Sequence, residues 1–233
     1  MQAVILAGGL GTRLRPVTQA IPKAMVDVLG RPFLEYELAL LRSGGVDDIV
    51  LCVGHLGNLI QSHFGSGSEF GLKIRYSWDG PKLLGPAGAL KRAETMLGEH
   101  FFVTYGDAYL RAPYGAMMDD FIASGRLAMM ATYRNENKHG RSDLAVRGRH
   151  VVRYDKKGAA RMKWINYGVS ALSKRALSLI PPGVEYGEEE FYGDLIARKE
   201  LLCFPVTKRF FEIGNPASLG EFARFAARLR AAR

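Results

Sequence analysis

Cysteine is scarce in this chain of 233 residues: Cys52 and Cys203 are the only two. Two cysteines make neither a disulfide framework nor a cysteine metal cage. Both lie in apolar, strand-like runs, 49–53 and 201–206, which predicts buried free thiols. The five histidines, His55, His63, His100, His139 and His150, lack the spacing of metal ligands. No apolar run approaches the ~18–20 residues that cross a bilayer. No charged stretch precedes the apolar N-terminal run, so no signal peptide is expected, and the expected location is cytoplasmic, without a membrane partner. Repeats, low-complexity tracts and flexible linkers are missing too. Basic runs are also lacking, although the net charge is +9. In the last helix Arg224, Arg228, Arg230 and Arg233 outnumber Glu221, and the remaining charge is dispersed. That distribution argues against a nucleic-acid partner and suits small anionic substrates.

The residues that are present speak most clearly at the N-terminus. A strand-like run, Gln2-Ala3-Val4-Ile5-Leu6-Ala7, opens into Gly8-Gly9-Leu10-Gly11-Thr12-Arg13. Glycines placed after a strand let backbone N–H groups approach a phosphate chain without Cβ obstruction. Arg13 within the loop and Lys23 ten residues on supply charge for phosphate oxygens. A P-loop is excluded because no Lys follows Gly11, and the dinucleotide fingerprint because Leu14 stands where its third glycine belongs.

With 48% hydrophobic residues the chain can bury a sizeable core as a single domain. Pattern predicts a helix over 32–42, a strand over 48–53 and a short helix over 58–64. A half-exposed strand over 72–76, a helix over 87–97 and a strand over 100–105 follow. This alternation implies an α/β fold: a Rossmann-like, mostly parallel sheet flanked by helices. Ligands of such sheets gather at the carboxyl ends of the strands, where Gly8–Arg13 and Gly106-Asp107 both fall. The second half predicts a strand over 127–133 and a hairpin over 144–154 turning at Arg147-Gly148-Arg149. A strand over 165–172, a short helix over 173–180, a break at Pro181-Pro182-Gly183 and a helix over 188–199 come next. Leu219, Phe222, Phe225, Ala226 and Leu229 form one apolar stripe on a final helix. Glu188-Glu189-Glu190 reads as a helix N-terminus favoured by the dipole.

The string 8–35, with Pro22-Lys23 and Gly30-Arg31-Pro32-Phe33-Leu34-Glu35, resembles the opening of the sugar-phosphate nucleotidyltransferases. That opening reads roughly GGxGTRLxPxTxxxPKxMxxVxGxPxLE, and this chain matches almost every fixed position. The resemblance implies the nucleotidyltransferase fold, with 1–134 as a nucleotide-binding core. It implies further a small sugar-binding lobe at 135–200, and a closing strand and C-terminal helix at 201–233. The implied reaction joins an NTP to a sugar 1-phosphate with loss of pyrophosphate, with Mg²⁺ as cofactor. A homodimer is compatible with it.

Under that resemblance Leu6, Ala7, Gly8, Gly9, Gly11, Thr12 and Arg13 hold the nucleotide, Arg13 gripping the departing pyrophosphate. Lys23 bridges the α-phosphate and the incoming sugar phosphate. Gly106-Asp107 looks like the metal aspartate. Glu212, in Phe211-Glu212-Ile213-Gly214-Asn215-Pro216, takes the place of a second metal aspartate in a segment reading D-I-G-T-P in relatives. Gly85 and Gly88 lie in a segment similar to LGTxGAL, which meets base and ribose, with Pro86 replacing Thr. Asn166 and Gly168 resemble an N-x-G strand that contacts the sugar. Lys157 or Lys156 takes the place of a lysine that meets the sugar phosphate. The compact length, residues 32–36, Leu84-Gly85-x-x-Gly88-Ala89 and Ile213-Gly214-x-Pro216 look most like heptose 1-phosphate guanylyltransferases. Phe70-Gly71-Leu72-Lys73-Ile74-Arg75-Tyr76-Ser77 resembles uridylyltransferases acting on N-acetylmuramate 1-phosphate. A catalytically silent nucleotide-sugar sensor is the rival of another class.

Overall fold

The computed structural model describes residues 1–80, 82, 84–157 and 162–231. Leu83, which begins the segment similar to LGTxGAL, and Arg233 of the final basic segment lie outside the described residues. In chain order the first half holds β1 (Gln2–Leu6), β2 (Asp27–Val28), β3 (Arg31–Pro32), α1 (Phe33–Ser43), β4 (Asp48–Val53), α2 (Gly57–Phe64), β5 (Lys73–Trp78), α3 (Gly85–Arg92), β6 (His100–Tyr105) and β7 (Ala108–Tyr109). The second half holds α4 (Tyr114–Ser124), β8 (Ala128–Arg134), β9 (Leu144–Arg147), β10 (His150–Tyr154), β11 (Trp164–Ser173), α5 (Glu188–Ala197), β12 (Leu201–Val206), β13 (Phe211–Glu212) and α6 (Pro216–Ala231).

A nine-stranded sheet of order β5-β4-β1-β6-β11-β8-β12-β10-β9 organises the chain. Its strands from the first half, β5, β4, β1 and β6, pair in parallel, as the βα alternation predicts. The later strands mix directions: β11 runs antiparallel to both β6 and β8, while β12 is parallel to β8. Hairpin β9–β10 turns where expected and closes the far edge. Strand β11, from the second half of the chain, therefore lies in the middle of the sheet beside β6. No helix among the described residues is long and apolar enough to cross a membrane.

Alternation along the buried strands divides the core into two layers. Ala3, Ile5, Ile49 and Leu51 face one side, where α1, α2 and α4 contribute Leu34, Leu38, Ile60, Phe64, Met117 and Phe121. Val4, Val50, Phe101 and Val103 face the other, against Leu90 of α3 and Phe191 and Leu195 of α5. Burial on both faces is why these strands read as continuous apolar runs. Cys52 and Cys203 are buried free thiols, as expected. The predicted helix over 87–97 ends earlier: α3 stops at Arg92 and a 3₁₀ turn spans Glu94–Met96. There the Ala93 amide is shared between the carbonyls of Ala89 and Leu90, which tightens the last turn. The apolar stripe of α6 packs Phe222 against Phe33 at 4.8 Å and Phe225 against Phe211 at 4.2 Å between ring centroids. This third cluster anchors the C-terminal helix beside the N-terminal loop residues Leu14 and Val26.

Candidate active site

Register places the carboxyl ends of three parallel strands in one row. Leu6 pairs with Cys52 on one side and Tyr105 on the other. Beyond that row the chain continues through main-chain bonds: Ala7 N–H donates to Cys52, Gly106 N–H to Leu6 and Asp79 N–H to Val53. These ends open into a cavity of about 350 Å³, within the size range of small-molecule sites. Leu6, Ala7, Gly8, Gly9, Gly11, Thr12, Arg13, Lys23, Gly85, Gly106 and Asp107 all line it.

The loop owes its shape to Gly11. Its φ is +60°, and a Cβ there would stand 3.0 Å from the Thr18 methyl and 3.3 Å from Lys23 Cβ. Thr18 Oγ1 donates to the Gly11 carbonyl at 2.8 Å, which ties the loop to the turn that follows. The tie keeps Lys23, on the 3₁₀ turn Lys23–Met25, underneath the loop. Lys23 Nζ donates to Asp107 Oδ2 across the cavity floor, with the lysine side chain only 14% exposed. Arg13 is exposed and has no ion pair among the described residues, which leaves its guanidinium open to an anion.

Glu212 reaches this neighbourhood through the backbone. Strand β13 pairs Glu212 with Ala108, and Ile213 N–H donates to the Asp107 carbonyl at 3.0 Å. The Glu212 carboxylate accepts from the Gly214 N–H, and Gly214, rather than Glu212, lines the cavity. Among the described residues no three His, Cys, Asp or Glu side chains converge as a cage. A Mg²⁺ ion needs none, since it is commonly held by one or two carboxylates with phosphate oxygens and water. Asp107 suits that role as a hard oxygen donor facing the glycine loop. Glu212 suits it once its carboxylate leaves the Gly214 amide.

Four other expected site residues lie outside the cavity lining. The Gly88 amide donates to the Tyr186 carbonyl at 3.2 Å, so Gly88 packs α3 against the 184–186 segment. Asn166 and Gly168 form a bulge in β11: Asn166 Oδ1 accepts the Gly168 amide at 2.9 Å, and Gly168 has φ +98°. Lys157 is exposed, its amide bonded to Asp155 at 3.0 Å. Its neighbour Lys156 instead pairs with the buried carboxylate of Glu188 at 3.0 Å.

Three lining residues with titratable side chains, Asp79, Cys52 and Tyr105, were not anticipated. Asp79 is only 7% exposed, beside Gly8 and Gly54, and burial raises its carboxyl pKa while Arg92 pulls it back. Cys52 sits next to it, its thiol pushed up to about 12 by burial and by the Asp79 charge. Tyr105 forms the opposite wall and donates its hydroxyl to Glu188. Asp79 and Tyr105 both stand at carboxyl ends of parallel strands, the one signal that could have marked them.

The nucleotidyl transferase family model matches residues 2–141, more than half of the chain and every element of the loop side of the cavity. The chain belongs to the nucleotidyl transferase family. Within the family, a UTP–glucose-1-phosphate uridylyltransferase of Synechocystis sp. is 32% identical over 85% of this chain. A D-glycero-α-D-manno-heptose 1-phosphate guanylyltransferase of Aneurinibacillus thermoaerophilus is 28% identical over 93% of this chain and 94% of its own. The chain spans 55% to 62% of the length of the larger curated relatives it matches. Among solved structures, HddC from Yersinia pseudotuberculosis superposes with a TM-score of 0.81 at 26% identity, covering 96% of this chain and 98% of that one. It has also been solved complexed with GMP-PN.

Proposed function

We propose that this nucleotidyl transferase joins an NTP to a sugar 1-phosphate with release of pyrophosphate, with GTP as donor and a manno-configured heptose 1-phosphate as acceptor. The observation that carries the reading is the convergence of the Gly8–Arg13 loop, Lys23 and Asp107 on one cavity. In the reaction a phosphate oxygen of the sugar attacks the α-phosphorus of the NTP. That P–O bond forms while the bond to the bridging oxygen of the β-phosphate breaks. The attacking phosphate is already an anion, so positioning and charge neutralisation matter more than proton transfer.

Loop amides from Gly8 to Thr12 cradle the triphosphate. Arg13, free of other partners, holds the oxygens that gain charge as pyrophosphate departs. Lys23 sits deeper, where it screens the repulsion between the α-phosphate and the incoming phosphate. Bound Mg²⁺ would supply further neutralisation of phosphate charge, with Asp107 as ligand and Glu212 as the second carboxylate.

Two findings support guanine. Asp79 is a side-chain acceptor lining the same cavity as Gly85, which belongs to the segment that meets the base in the family resemblance. Guanine presents two adjacent N–H donors to such an acceptor, whereas uracil presents one donor between two carbonyls. The heptose guanylyltransferase matches almost end to end, unlike the uridylyltransferase.

Pyrophosphate release with GTP, UTP, CTP, dTTP and ATP against several sugar 1-phosphates tests both levels. GTP should lead in kcat/KM by at least ~10-fold, since a committed polar site discriminates by up to ~10⁴. Asp79→Asn should erode that lead. A UTP lead of an order of magnitude would replace the guanylyl reading with a uridylyl one acting on a hexose or N-acetylmuramate 1-phosphate. Binding of nucleotide without turnover for any pair would make the protein a sensor.

A further inference from the structure

Glu188 opens helix α5, yet it is only 7% exposed, unlike the solvated carboxylate its sequence neighbours suggest. Its Oε2 accepts the Tyr105 hydroxyl, its Oε1 accepts the Tyr154 hydroxyl, and Lys156 Nζ lies 3.0 Å from Oε1. Tyr105 lines the cavity two residues before Asp107, whereas Tyr154 ends β10 and Lys156 lies two residues beyond it. One carboxylate therefore fastens a wall of the active site to a strand from the other end of the sheet. We propose that Glu188 is a positioning residue for the acceptor: it fixes the Tyr105 ring against the cavity and holds the Lys156 ammonium for an anionic phosphate ester. The inference rests on the nucleotidyl-transfer reading for its choice of acceptor, a sugar 1-phosphate.

The physical reason lies in what each group would do without the carboxylate. Among the described residues the Tyr105 hydroxyl has no hydrogen-bond partner but Glu188, while Tyr154 has the Asn166 side chain besides. Burial and the adjacent carboxylate keep both hydroxyls protonated, so each must donate. Losing the shared acceptor orphans the half-buried Tyr105 donor and leaves Tyr154 with Asn166 alone, and the Tyr105 ring regains freedom to swing into the cavity. Lys156, about half exposed, would lose the counter-charge that fixes its ammonium and sample solvent instead. Preorganised groups of this kind set how tightly a ligand is held. Among the described residues no side-chain hydrogen bond or ion pair links Arg13 or the Gly8–Arg13 loop to Glu188, Tyr154 or Lys156, so donor binding should depend on the network less than acceptor binding does.

The test measures dissociation constants directly, with GTP alone and with mannose 1-phosphate as probe in the presence of a non-hydrolysable GTP analogue. Glu188→Gln keeps an acceptor oxygen but removes the charge; Tyr105→Phe keeps the ring and removes only the tether. Each variant should weaken mannose 1-phosphate binding at least ~5-fold and leave the GTP constant within ~2-fold. In turnover the acceptor KM should rise while the GTP KM holds. Equal weakening of both ligands, or no change in either, overturns the proposal. Should Glu188→Gln fail to fold, Tyr105→Phe alone decides by the same criterion. Absence of pyrophosphate release in the unaltered protein would sink the catalytic reading, while the pair of binding constants would still judge Glu188.

Discussion

Arg13 and Lys23 would enter the proposed reaction from different starting states. Lys23 is already paired with Asp107, so a phosphate competes with an existing carboxylate. Arg13 has no such competitor among the described residues and offers its full charge at once. Arg13→Ala and Lys23→Ala should each lower kcat by at least ~10²-fold, because each removes transition-state charge stabilisation worth a few kcal/mol. Lys23→Ala should also leave Asp107 uncompensated and loosen the loop beneath Gly11. Its thermal stability should therefore fall more than that of Arg13→Ala, a difference readable by calorimetry; near-native turnover in both would remove them from the mechanism. Beneath the same floor lies Glu37 of α1, 2% exposed, with Oε1 bonded to Thr104 at 3.3 Å and Oε2 without a partner. Burial, and then the charge of Asp107, hold its pKa well above the ordinary carboxylate range. A raised folded-state pKa gives stability that is whole below the unfolded value of ~4.3 and lost as pH rises through the folded one. Glu37→Gln, neutral throughout, should thus melt with the parent near pH 4.5 and several degrees higher, ~3 °C or more, at pH 8. A difference that does not grow with pH would contradict this.

At the scale of elements, the small β7–β13 ladder decides whether the proposed Mg²⁺ would have one protein carboxylate or two. It is the only ladder in which the segment before α6 touches the Asp107 segment among the described residues. Packing of Phe222 and Phe225 on Phe33 and Phe211 holds that helix, and hence Glu212, in place. Moving Glu212 onto Mg²⁺ gives up one hydrogen bond to Gly214, a modest loss of ~1 kcal/mol against ionic coordination. Asp107→Ala should abolish Mg²⁺-dependent turnover. Glu212→Gln should raise the Mg²⁺ needed for half-maximal rate ~10-fold, in line with the effect of a weakened ligand set. An unchanged Mg²⁺ requirement in Glu212→Gln leaves Asp107 with the phosphates as sole holders. The elements themselves show which parts of the site were readable from sequence. The glycine loop and Asp107 were legible because each lies at the end of a strand whose apolar run is local, and Lys23 because it stands in the string 8–35. Glu188 was not: its partners Tyr105 and Tyr154 are 83 and 34 residues away, and a run of three glutamates looks like a solvated helix start. Asn166 and Gly168 matched a pattern, but in the folded chain they bond to each other and shape a bulge. Pattern recorded the position and not the partner. For the same reason β11 could be read as a strand, while its insertion beside β6 depended on long-range pairing that no local signal carries.

For the molecule as a whole, the excess of 32 Lys and Arg over 23 Asp and Glu meets two substrates that are both polyanions in the proposed reaction. The excess is dispersed, so it acts as a field over the surface rather than as a docking stripe. Such a field raises the encounter rate, and added salt screens it beyond a Debye length of ~10 Å at 0.1 M. In the proposed reaction Arg13 and Lys23 would touch phosphate inside the cavity, where screening is weaker. Raising KCl from ~20 to ~300 mM should therefore lower kcat/KM for both substrates ~3–10-fold, chiefly through KM, with kcat nearly constant. The arginines of α6 provide the internal control. Arg224, Arg228 and Arg230 form a basic group on a helix whose apolar stripe faces the core. Changing all three to Gln should keep most of the salt slope if the field is distributed. A slope that vanishes in the triple variant would place the steering on α6 alone, and a kcat that falls with salt as steeply as kcat/KM would mean that the contact charges, not the field, are being screened.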